Sequence, residues 1–108
     1  MHTRWLTTTF LGMALSAFGQ TGPADDPLDL IQKANHNRQL GPNSRAEAQY
    51  KKAMAILEKT AGPRAPHLIP ALIGLTELYY GEQRYKEAEV NARRSVAVVE
   101  SALALAQK

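Results

Sequence analysis

The chain has 108 residues, with 13 Lys and Arg against 10 Asp and Glu, a formal net charge of +3 and no cysteine. That length holds one domain and is too short for a doubly wound sheet, or for a barrel enzyme with a separate substrate domain. Without cysteine there is no disulfide scaffold, zinc knuckle, thiol nucleophile or thiol-linked lipid, and 44% hydrophobic with 21% charged residues lies in the globular range.

Met1 to Arg4 is a short basic start, and the 14 residues from Trp5 to Phe18 carry no charge. Small residues follow at Ala17 and Gly19, two apart. A charged start, a short apolar run and a small-residue exit are the pattern of a secretory signal peptide. The run is shorter than the roughly 17–25 residues that span a bilayer. The expectation is a signal over residues 1–19, cut after Gly19, and an exported product, periplasmic or extracellular. An uncleaved N-terminus acting as a membrane anchor is the alternative, and it is the only membrane contact the sequence suggests. Residues 20–26, with Gly22, Pro23, Asp25 and Asp26, read as a flexible spacer.

The basic balance is not a nucleic-acid footprint. No Lys/Arg block exceeds two residues (Lys51-Lys52 and Arg93-Arg94), so the charges read as solvated helix faces.

From Pro27 onward the pattern is helical. Asp26, Pro27 and Asp29 supply a capping acid, a proline suited to the first helical position and a first-turn acid. Leu30, Ile31 and Ala34 follow at helical spacing until Gly41-Pro42. Ser44 and Glu47 have the spacing of a capping box. Behind them Ala46, Tyr50, Ala53, Met54 and Leu57 form one apolar stripe, and Glu47 with Lys51 makes an i,i+4 pair on the outer face. This helix is expected to end near Thr60, before Gly62-Pro63. A third opens around His67 and Leu68, with Pro70 in its first turn, and carries Leu68, Leu72, Leu75 and Tyr79. Gly81 to Arg84 breaks it. A fourth runs from about Tyr85 to Ala106 through Ala88, Ala92, Val96, Val99 and Leu103, with Glu82–Lys86 and Glu89–Arg93 pairs. No window alternates as a strand does, so the fold class is all-α.

Self-comparison finds a repeat. A shift of 42 residues sets Leu30 on Leu72, Ala46 on Ala88, Glu47 on Glu89, Ala53 on Ser95 and Met54 on Val96. Small positions meet small ones and large apolar positions meet large ones, as close helix approach requires.

Leu72, Leu75, Leu78 and Tyr79, followed by Arg84-Tyr85-Lys86-Glu87-Ala88-Glu89, resemble tetratricopeptide repeats. Gly62 to Pro66 and the 42-residue spacing resemble the longer kinesin light-chain variety. The resemblance covers residues 27–106 as two tandem helix-turn-helix units, 27–61 and 66–106. It is weaker over Pro27 to Leu40, where Lys33 and Asn37 stand at the positions of Leu75 and Tyr79. Gln83 replaces the usual turn glycine of the second unit, whereas Gly41 keeps it in the first.

The resemblance implies a short right-handed superhelix whose first helices line a shallow groove. Carried over by position, the groove residues are Ile31, Asn35 and Arg38 from the first unit and Ile73, Glu77 and Tyr80 from the second. Such a surface suits an extended peptide or a partner helix. The alternative is that these six are simply the solvent side of their helices. Repeat units do not bury their faces alone, and Ser95 to Ala106 carries a single charge, Glu100. Val96, Val99 and Leu103 therefore mark a candidate self-association surface.

No sequence pattern for chemistry appears. His2 falls in the leader, and His36 and His67 are isolated, without metal-ligand spacing. There is no nucleophile elbow and no glycine-rich phosphate loop. No catalytic, cofactor or metal residue is assigned. The expected function is an exported, non-catalytic module that binds a protein or peptide of unspecified identity. The alternatives are a small structural homodimer, an envelope-anchored component without peptide ligand, or the remnant of a longer repeat array.

Overall fold

The computed structural model describes residues 26–107. The expected leader (1–19) and the spacer up to residue 25 lie outside the described residues. The described part is helical: α1 (Pro27–Leu40), α2 (Asn43–Ala61), a 3-10 turn (Pro66–Leu68) running into α3 (Ile69–Gly81), and α4 (Tyr85–Ala106). Among the described residues there is no strand, and no helix is long and apolar enough to cross a membrane.

The ends of the helices follow from local chemistry. Asp26 caps α1, its carboxylate accepting the Leu28 amide at 3.2 Å, with Pro27 at the first helical position. Gly41 (φ +88°) and Gly62 (φ +96°) stop α1 and α2 in a backbone region that disfavours other residues. Pro70 sits in the first turn of α3, where no amide is needed. The second turn departs from the first. Gln83 occupies positive φ (+64°), 42 residues after Gly41.

Two of the expected local pairings are not formed. Because α2 already begins at Asn43, Ser44 lies inside the first turn and makes no cap bond. Its supposed partner Glu47 is turned inward. Glu82 lies in the turn before α4, where i,i+4 geometry is absent, and pairs with Arg84 at 3.2 Å. The Glu89–Arg93 pair does form, at 2.6 Å.

Helices α1 and α2 pack as one hairpin and α3 and α4 as another. The two hairpins stack mainly through α2 against α3, with α1 also touching α3. The core runs through all four: Leu30, Ile31 and Ala34; Ala46, Tyr50, Ala53, Met54 and Leu57; Leu72, Leu75, Leu78 and Tyr79; Ala88 and Val98. Ala46 and Ala88, 42 residues apart, are both buried. On α4 the core position is taken by Val98, whereas Val96, Val99 and Leu103 are exposed.

Candidate functional site

The side of α1 and α3 that the repeat register marks as a groove is organised around the Tyr50 hydroxyl. An aromatic ring with a hydroxyl at a buried position of α2 needs polar partners. It finds them on α1: the hydroxyl donates to Asn35 Oδ1, and Arg38 Nε donates to the hydroxyl oxygen at 3.1 Å. Arg38 then crosses to the other hairpin, its Nη1 lying 2.6 Å from Glu77 Oε2. Tyr50 raises the Arg38 pKa first and Glu77 adds to it, against the cost of partial burial. Asn35, Arg38 and Glu77 are thus brought together, linking α1, α2 and α3.

The remaining assigned residues divide. Ile73 and Tyr80 are 47% and 66% exposed, and Tyr80 stands edge-to-face against Tyr85 with ring centroids 5.3 Å apart. Ile31 is 4% exposed and belongs to the core, not to an open lining. The reason is scarcity. Helix α1 buries only Leu30, Ile31 and Ala34, and burying an isoleucine side chain contributes roughly 1.5–3 kcal/mol. The repeat offset of Ile31 and Ile73 therefore holds in sequence but not in exposure.

A second cluster locks the hairpins together. Glu47 of α2 receives the Tyr79 hydroxyl at 2.9 Å, Arg84 Nη1 at 2.9 Å and Lys51 Nζ at 2.8 Å. Arg84 also grips Glu87 with two donors, at 2.8 and 2.5 Å, and lies over the Tyr79 ring at 4.4 Å from its centroid. Burial pushes the Glu47 carboxyl up, but the bonds from Lys51, Arg84 and Tyr79 outweigh it and bring it down to about 2. Burial, then the hydrogen bond to Glu47, raises the Tyr79 pKa. At the far end of α2, Glu58 receives Arg94 Nη2 at 2.6 Å. These ties hold the two units in register.

The sequence reading places Tyr50 and Tyr79 in the core but does not find their hydroxyl partners. The available signal is tyrosine in place of phenylalanine within an otherwise aliphatic stripe. Among the described residues, no three His, Asp or Glu side chains converge as metal ligands would.

Two stacked helical hairpins at a constant offset, joined by tyrosine-centred polar ties, define a helical-repeat protein. The family model for the tetratricopeptide repeat matches residues 27–101, and the chain belongs to that family. Repeats of this family generally mediate protein–protein interaction, typically as non-catalytic scaffolds. No curated protein and no solved structure matches the chain.

Proposed function

We propose that the chain is an exported, non-catalytic interaction module that holds an extended peptide or a partner helix along α1 and α3. The observation that carries this reading is the Arg38–Glu77 pair bridging the two helices, beside Ile73 and Tyr80, which are exposed without serving the core. Apolar anchors next to fixed polar groups are the combination peptide grooves use. Asn35 is half-buried and accepts from Tyr50 through its amide oxygen, which leaves its amide nitrogen to donate to a ligand. Ile31 is left out of the lining.

Peptides selected against the 108-residue chain from a displayed random library test the groove. Tyr80→Ala and Glu77→Ala are each expected to weaken the selected peptides at least tenfold, with helicity and Tm retained. Peptides that bind both variants as well as the wild type would sink the groove.

Export is the second part of the proposal and rests on the pattern of Met1 to Gly19. The mass of the protein recovered from an exporting bacterium tests it: cleavage predicts a product starting at Gln20, and anchoring predicts the full length in the membrane fraction. Self-association through Val96, Val99 and Leu103 uses a different helix from the groove and does not compete with it.

A further inference from the structure

The two ends of the stack are unlike. On α2, against which the second hairpin stacks, Met54 and Leu57 are 7% and 8% exposed. Their equivalents on α4, 42 residues later, are Val96 and Val99, and these are 55% and 40% exposed. The same register positions that are buried on α2 are thus uncovered on α4 among the described residues. The opposite end is largely polar, although α1 also exposes Leu28 and Leu40. Asp29 and Lys33 pair there at 3.0 Å and Asn37 donates to Gln49 at 2.7 Å, with His36 and Arg45 beside them.

The uncovered residues have a definite spacing. Val96, Val99, Leu103 and Ala106, with half-buried Ala92 before them, step by four, three, four and three from Ala92, the seam that two helices share when they pack at a shallow angle. Arg93 and Glu100, seven residues apart, flank this seam on the same side with opposite charges. In an antiparallel pair of identical helices, same-side flanks face each other. Arg93 of each copy, which also holds Glu89 of its own helix at 2.6 Å, then meets Glu100 of the other.

We propose that α4 packs antiparallel on α4 of a second copy, through Val96, Val99 and Leu103, with the twofold axis passing between Val96 and Val99. A second copy fits better than head-to-tail addition. The head of the stack offers charged and amide groups to an apolar seam, whereas the twofold arrangement covers both seams at once and closes.

Sedimentation equilibrium on the full 108-residue chain is expected to give a dimer. Val99→Glu should raise its dissociation constant at least 100-fold with helicity unchanged. Arg93→Glu and Glu100→Arg should each weaken the dimer, and the double exchange should restore it, an outcome tied to the antiparallel arrangement. The chain has no cysteine, so Val99→Cys adds a single thiol near the axis and should oxidise to a covalent dimer, whereas Lys33→Cys should not. A monomer at all concentrations overturns the proposal. So does a disulfide between the two cysteine variants when mixed, which would mean head-to-tail stacking, or weakening by Tyr80→Ala, which would mean the groove is the contact.

Discussion

The Tyr50 ring fills the space that a side chain at position 74 would take. A Cβ built on Gly74 would stand 2.5 Å from both Cε1 and the hydroxyl oxygen of Tyr50, closer than real Cβ atoms come to a neighbour. A glycine inside α3 costs about 1 kcal/mol of helix propensity relative to alanine. Here it lets α2 and α3 approach until an aromatic ring meets bare backbone, and that approach places the Tyr50 hydroxyl within reach of Asn35 and Arg38.

Gly74→Ala is therefore expected to destabilise the protein, although it improves helix propensity. Overpacking a dense core costs about 1–3 kcal/mol, and the ring, buried and hydrogen-bonded, has nowhere to swing. Urea unfolding followed by circular dichroism checks the sign. In a Tyr50→Leu background the same substitution should cost less, since the two positions share one space.

Stability should fall in acid through Glu47. Its carboxyl titrates near 2 when folded, against 4.5 when free. A depressed carboxylate stabilises the fold fully above its unfolded pKa and loses that contribution as the pH falls toward the folded value. The window is pH 5 to pH 2, and the loss from this group is about 2–3 kcal/mol. Arg84 holds Glu87 below the usual carboxylate range, which acts in the same direction. Glu47→Gln should lower stability at pH 7 and flatten the decline between pH 5 and 2, measured as urea midpoints across that range. A decline as steep as that of the wild type would count against the assignment.

Gln83 is held at φ +64°, a region that costs an ordinary residue about 1–2 kcal/mol. Gln83→Gly relieves that strain, while glycine gives back part of the gain through a freer unfolded chain. The expected result is a net gain of about 0.5–1 kcal/mol, read as a rise of a few degrees in Tm.

Tyr50→Phe keeps the ring and removes the hydroxyl. Asn35 and Arg38 lose one partner each, but both are only half-buried, so water replaces part of the loss. A cost of about 1 kcal/mol is expected. A change in the chemical shift of the Arg38 Nε–H should accompany it.

Much of this fold is legible in the sequence because its main signals are local. The proline and acid that open α1, the glycines that close α1 and α2, and the 42-residue offset all act through backbone geometry or close packing. The capping box failed because Ser44–Glu47 spacing does not report where α2 begins. Once Asn43 leads the helix, Glu47 faces Tyr79 and Arg84, 32 and 37 residues away. Of the candidate groove residues, the structure brings Asn35, Arg38 and Glu77 together, leaves Ile73 and Tyr80 exposed and buries Ile31. Register placed Asn35, Arg38, Ile73, Glu77 and Tyr80 on one side of the first helices. It could not foresee that a helix as polar as α1 must draw Ile31 into the core, nor that a tyrosine hydroxyl joins residues from three helices.

Glu89 and Arg93 reproduce, in open solvent, the couple that Glu47 and Lys51 form beneath the second hairpin. For protein engineering this means that α4 of a separated protomer carries a clasp of the same kind. A further hairpin grafted onto it, bringing a tyrosine and an arginine at the positions of Tyr79 and Arg84, would meet an equivalent carboxylate in Glu89 and would take the place of the second copy on α4.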